Sequence, residues 1–272
     1  MNTPRNAAIA LAVSALAIAC FKVPYTNRKV LNPVPDGAMM SLGASTYKSM
    51  LADVKVQKKG DDADTLVSVG ERISDAANQP KYDWEYSLID EDEINAWCLP
   101  GGKIGFYTGI LPVLENEAGM AFVMGHEVGH ATARHGAERL SQQVALFGGL
   151  AGLALIIDQK TKLTPEQNLA VVGALGIGLE VGVLLPFSRM HESEADIIGT
   201  MYMAEAGYPP EEAIKVWDRM SEATGGSIVP AFLSTHPTDK KRQKVITDWL
   251  PQATKRYERN KLTKDTQKPI WK

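Results

Sequence analysis

Three of the chain's five histidines fall in one short stretch, Met124–Gly136, which reads MGHEVGHATARHG; a glutamate follows the first of them. On a helix, positions i and i+4 differ by about 40° around the axis and rise about 6 Å. His126 and His130 would therefore project from one face, close enough to share a metal ion. Glu127 could reach a water on that ion without binding the ion itself. Zinc lowers the pKa of such a water to about 7, and a carboxylate base could take its proton and deliver it to a leaving amine. The competing reading is the polar face of an ordinary amphipathic helix. It conflicts with the surroundings, MAFVMGHEVGHATA, where unpaired buried histidine and glutamate would be costly.

A catalytic zinc needs a third protein ligand and an open position. SRMHESEADIIG, Ser188–Gly199, packs Glu192, Glu194 and Asp196 directly after an apolar run. On a helix Glu192 and Asp196 share a face and Glu194 points away. One carboxylate could bind metal, and the next, a turn on, could orient a ligand histidine. His191 is the rival ligand, and a solvated acidic face is the alternative for the whole cluster. His135, five residues past His130, falls off the metal-facing side and reads as structural.

The elements that must position these residues follow from periodicity. Met39–Gln57 and Asp62–Asn78 carry helical spacing, with Leu66, Val69, Ile73 and Ala76 on one face. Tyr82–Asp90 alternates as a strand. Ile94–Leu99 and Lys103–Leu111 flank PGG and predict two strands joined by a turn. A long helix is expected over Glu115–Leu140, with further helices over Arg189–Ala206, Glu211–Ala223 and Asp239–Arg256; STHPTDKKRQ is a loop. Val144–Ile157 is short for a membrane span. Leu169–Phe187 is long enough but holds Glu180 and four glycines. Helices buried in the domain or touching a membrane surface are expected there, with true spans as the alternative.

With 272 residues, 44% hydrophobic and 22% charged, the chain is globular rather than disordered, and a net charge of -3 argues against nucleic acid as a partner. Two distant cysteines, Cys20 and Cys98, make neither a disulfide framework nor a zinc ribbon. The N-terminus, MNTPRNAAIALAVSALAIAC, has a basic start, an apolar run and small residues before Cys20, as in a signal peptide. The cysteine resembles a bacterial lipobox, with Ala17 where that pattern most often has Leu. The expected organisation is a signal peptide at 1–19, a lipid-anchored tether at 20–38, one catalytic domain at 39–256 and a basic, solvated tail at 257–272; the alternatives are a plain signal peptide or uncleaved anchor at the start and contact of the tail with anionic lipid.

In combination HEVGHATARH, SRMHESEAD and STHPTDKKR resemble the zinc metallopeptidase family that contains BepA, LoiP, HtpX, the mitochondrial Oma protease and the CAAX prenyl endopeptidases, and most of all its bacterial lipoprotein and Oma-type members. VPYTNRKVLNPV also looks like the start of those lipoproteins. The resemblance implies an α+β fold: a mostly helical zincin-type domain with a small sheet whose edge strand lines the cleft. It implies His126, His130 and Glu192 as ligands of one Zn2+, Glu127 as general base and Asp196 as a partner behind a ligand. NAWCLPGGKIGFYTGIL matches the family's edge strand, so Asn95, Ala96 and Trp97 would pair with an extended peptide. His236 aligns with a histidine that occupies the fourth zinc position at rest, holding the enzyme off until its loop moves. Arg242 aligns with an arginine that stabilises the transition state. Cys98 stands where the family has an apolar or small residue. It could bind metal, but a buried apolar role is the ordinary one.

The function so implied is a zinc endopeptidase of the bacterial cell envelope. It would be periplasmic, anchored to the outer membrane through lipid on Cys20, and would clip misfolded or stalled envelope proteins. Its partners would be unfolded or extended polypeptides, the membrane and the envelope assembly machinery. A zinc-stabilised chaperone or assembly factor with little proteolysis is the alternative, and an integral membrane protease a third reading.

Overall fold

The computed structural model describes residues 20–31, 34–160, 164, 185–223, 230–237 and 240–271; the side chains of residues 20, 31, 151–160, 185–187 and 240 are outside the description. The signal peptide expected at 1–19 and most of the second apolar stretch lie outside the described residues. In chain order the elements begin with β1 (Cys20–Lys22), β2 (Lys29–Leu31), α1 (Asp36–Met50), β3 (Val56–Gln57), α2 (Asp61–Ala77), β4 (Glu85–Ile89), β5 (Ala96–Leu99) and β6 (Lys103–Tyr107). After a 3-10 turn follow α3 (Leu111–Leu114), α4 (Glu117–Thr132), α5 (His135–Lys160), α6 (Leu185–Glu205), α7 (Glu212–Ala223), α8 (Ala231–Thr235) and α9 (Lys240–Asn260). This is a mostly helical α+β chain, as expected. It divides into two compact units, one of Met1–Phe21, Lys29–Val34 and His135–His191, the other of Lys22–Arg28, Pro35–Arg134 and Glu192–Lys272.

The second unit is built on a four-stranded sheet in the order β3-β4-β6-β5, with β4 and β6 parallel and the other pairs antiparallel, so β5 is an edge. The turn between β5 and β6 needs left-handed backbone at Gly101 and Gly102, φ +92° and +84°, which glycine adopts without strain. Both faces of β4 are covered. Tyr86 sends its hydroxyl to Ser74 of α2, 2.5 Å away, and Tyr47 of α1 reaches Ser87 at 2.7 Å. Gly70 makes the first contact possible, because a Cβ there would lie 2.5 Å from the Tyr86 ring. Ser87, Leu88 and Ile89 are consequently buried in succession rather than alternately.

α4 runs through the interior of this unit, with every residue from Ala118 to Thr132 buried. The Asn116 side chain caps it by accepting the Gly119 N–H at 2.9 Å. The single helix expected over Glu115–Leu140 is broken. Arg134 turns left-handed, φ +62°, while Ala133 and Arg134 donate back to Gly129 and Ala131. An arginine rather than a glycine makes this turn, so the sequence carries no stop signal; an ion pair to Asp36 holds it. The helix expected over Met39–Gln57 likewise stops at Met50, because Val56 and Gln57 join the sheet.

Both ends of the second unit are packed more closely than the sequence suggested. In the expected tether, Val23 is buried and Arg28 forms an ion pair with Glu194 on α6. In the expected solvated tail, Trp271 is buried and donates to Asp62 at 2.8 Å, and the Thr266 carbonyl accepts the Ala118 N–H of α4. Burying an indole outweighs solvating the flanking lysines. In the other unit, α5 carries the start of the first apolar stretch with Val144 and Phe147 exposed. No helix among the described residues is long and apolar enough to cross a membrane.

Candidate metal centre

Two glycines bring the site together. α4 and α6 approach so closely that a Cβ on Gly199 would lie 2.6 Å from the His126 backbone nitrogen, and one on Gly125 would lie 2.8 Å from the Gly199 carbonyl. At this crossing the two histidines of α4 meet the acidic face of α6. His126 Nε2 lies 3.1 Å from His130 Nε2, and the Glu192 carboxylate lies 3.5 Å from the first ring and 3.4 Å from the second. His236, just after α8, adds Nδ1 at 3.2 Å from His126 and 2.8 Å from Glu192. One donor atom from each of these four buried residues lies within 4.8 Å of the other three.

The chemistry of this donor set fits a metal cation. Three imidazole nitrogens turn toward one another and one carboxylate, and all four residues are buried. Burial opposes charge on Glu192, but charged His130 and hydrogen bonds from the histidines prevail and hold it ionised, far below the usual carboxylate range. Burial also opposes a charged His126, yet hydrogen bonds to Asp196 and Glu192 push it up to about 9. The pocket thus favours a positive charge at its centre, and three nitrogens with one carboxylate oxygen suit zinc.

A second layer fixes the first. His126 Nδ1 lies 3.1 Å from Asp196 Oδ1, so its N–H donates there and Nε2 is the nitrogen that would give up its proton to a metal in the cluster. Arg242 forks onto Asp196 through Nε at 2.7 Å and Nη2 at 2.9 Å, and Trp217 Nε1 adds a third donor at 3.3 Å. The guanidinium lies over the Trp217 ring, 4.0 Å from its centre. Burial works against Asp196 as an anion, but the Arg242 charge outweighs it and keeps the carboxyl low. Arg242 therefore acts first on Asp196, while its Nη2 also approaches Glu192 at 3.3 Å.

Glu127 is turned out of the four-atom cluster. Its Oε1 is buried without a hydrogen-bond partner among the described residues, 3.4 Å from His236 Nε2, and burial pushes its carboxyl up. The Cys98 backbone of β5 hydrogen-bonds the same carboxylate. The Cys98 thiol is itself pushed well up, by burial and then by the nearby Glu127 charge, and is not among the four metal-facing groups. Along β5, Asn95 gives its carbonyl to Tyr107, so strand alternation turns the carbonyls of Ala96 and Cys98 to the outer edge. The Trp97 indole packs over Gly105 and against Tyr47.

His191, the rival ligand, pairs with Glu138 at 3.0 Å and stacks on His135. His236 is stacked on Phe232 with ring centres 4.6 Å apart, and Phe232 is tied through its N–H to the Ile94 carbonyl. Sequence reasoning missed Trp217, Phe232 and the glycine pair. Gly125 and Gly199 left one readable sign, a small residue on each of the two motif-bearing helices; the aromatic residues left none.

A family model described as peptidase family M48 matches residues 61–250. Mitochondrial metalloendopeptidase OMA1 of Schizosaccharomyces pombe is 34% identical over 236 residues, covering 85% of this chain and 66% of that protein. The Saccharomyces cerevisiae protein of the same name is 33% identical over 261 residues, 88% of this chain and 71% of its own length. Beta-barrel assembly-enhancing protease of Escherichia coli is 29% identical over 181 residues; this chain spans 36% of its length.

Proposed function

The chain belongs to peptidase family M48, and from that premise we propose that it is a zinc endopeptidase of the bacterial cell envelope, held at rest by its own His236. Its substrates would be misfolded or stalled envelope proteins. The observation that carries this reading is the convergence of His126, His130, Glu192 and His236 beside the buried Oε1 of Glu127, 3.4 Å from His236 Nε2. The first three would hold zinc throughout, and His236 would add a fourth donor in the resting state. Zinc held there supplies a Lewis acid that polarises a scissile carbonyl and acidifies water. Glu127 would accept the water proton at Oε1 and pass it to the leaving amine. Asp196 keeps His126 in the tautomer that faces the cluster, and Arg242 holds Asp196 and brings positive charge to its edge. The outward carbonyls of Ala96 and Cys98 would receive an extended peptide.

The envelope assignment draws on the lipobox-like Cys20, where lipid would anchor the protein at the periplasmic face of the outer membrane, and on the E. coli relative, named for assembly of beta-barrels. Relatives named as mitochondrial share the same family. A site closed by four protein donors also favours a second reading, a zinc-stabilised assembly factor that rarely cuts. The zinc-loaded full chain is assayed on casein with Glu127→Gln and His236→Ala alongside. A metalloprotease predicts a fall of about 10²–10⁴-fold for the first variant and faster cutting for the second. Absence of cutting by every variant at one bound zinc supports the assembly factor.

A further inference from the structure

We propose that Arg28 and Glu194 are positioning residues for the metal centre: the N-terminal loop grips α6 on the side opposite Glu192 and Asp196 and sets its rotation. The inference rests on the zinc reading above. Glu194 lies between Glu192 of the cluster and Asp196 behind His126, and like them it is buried. A buried carboxylate needs a strong partner. Arg28 supplies it with a two-pronged contact on Oε2, Nε at 2.9 Å and Nη2 at 2.7 Å, while the Thr26 hydroxyl donates to Oε1 at 2.5 Å.

The loop that carries them is held in a costly shape. Tyr25 and Asn27 are both left-handed, φ +58° and +55°, a conformation that asparagine tolerates and that strains a tyrosine. The turn is closed by Val23 N–H to the Arg28 carbonyl and Asn27 N–H to the Val23 carbonyl, and the Tyr25 ring meets Tyr202 of α6 edge-on at 5.6 Å. Backbone strain of this kind persists where the surroundings over-determine it. Here it presents two side chains to one turn of α6, the turn that bears Glu192 and Asp196. Rotating that turn by about 10–20° is enough to spoil a preorganised site. The loop and the Arg242 fork therefore fix the helix from opposite sides.

The test compares the full chain with Arg28→Met, Arg28→Lys and the double variant Arg28→Met/Glu194→Gln. Zinc Kd by competition with a chromogenic chelator, the visible spectrum of the cobalt-substituted protein, kcat and KM on a peptide, and Tm are measured. Arg28→Met is expected to weaken zinc binding about 10-fold, to alter the cobalt band and to lower kcat with KM unchanged. Arg28→Lys keeps the charge but not the fork and falls between. In the double variant the buried charge is gone, so Tm recovers while Kd and the cobalt band do not. Recovery of all three together, or a parent-like Kd and cobalt band in Arg28→Met, would make the pair merely structural and overturn the proposal. If the parent holds one zinc and cuts nothing, the hydrolytic reading fails, and Kd and the cobalt band still decide this one. A parent that holds no zinc overturns both.

Discussion

At the scale of single residues, the site separates groups that face the cluster from groups that hold them in place. Asp196 is the hinge between the two sets. It accepts from His126, Arg242 and Trp217 and is fully buried, so it governs both the tautomer of a ligand and the placement of a cation. Asp196→Asn keeps the shape but loses the charge that draws the His126 N–H. Zinc affinity is expected to fall about 10–100-fold, read by chelator competition, with the helical circular dichroism unchanged. An unaltered affinity would mean that Asp196 serves only to pair Arg242. The motif residues were legible in the sequence because i, i+4 spacing on a helix is local geometry. The commitment of Arg242 was not, since its partner lies 46 positions away.

At the scale of elements, the approach of α4 to α6 decides whether the ligands meet at all. A Cβ on Gly199 would sit 2.6 Å from the His126 backbone, with backbone rather than a movable side chain in the way. Gly199→Ala should therefore push the helices apart, costing about 1–3 kcal/mol in stability and weakening zinc binding. Urea unfolding and zinc titration measure the two effects. The same substitution at Gly148, where nothing among the described residues lies within 4 Å of the added Cβ, is the comparison that should leave zinc binding unchanged. Helix periodicity announced both helices but placed the end of the first some residues too far. The break at Arg134 depends on a left-handed residue stabilised by an ion pair to Asp36, far away in sequence.

At the scale of the molecule, one buried carboxylate ties distant parts of the second unit together. Glu212, at the start of α7, receives Arg219 at 2.9 Å, Lys215 at 3.1 Å, Asn116 at the head of α4, and Gln267 from the C-terminal segment. Burial raises its pKa, but Arg219 and then Lys215 more than compensate and hold it below the ordinary value of 4.5. A carboxylate lowered on folding stabilises the protein above its unfolded pKa, and that contribution fades as pH falls through the lower, folded value. Glu212→Gln should thus cost about 1–3 kcal/mol at pH 7, with the gap to the parent narrowing below about pH 4.5. Urea denaturation of the metal-free proteins at pH 7, 5 and 3.5 gives the curve; a gap independent of pH would assign the loss to packing.

Local spacing was enough to reveal a helix with two histidines on one face, an acidic partner helix and a hairpin around PGG, because each depends on neighbours within a turn or two; the α+β fold as a whole came from the family resemblance. The resemblance had already singled out Glu192 among the three acids, but the tertiary structure alone decided that Glu194 takes Arg28. It also decided that His191 stacks on His135 and that the basic C-terminus braces α4. Those outcomes follow from helix crossing angles and from the need to pair every buried charge, and both are settled between residues far apart in the chain.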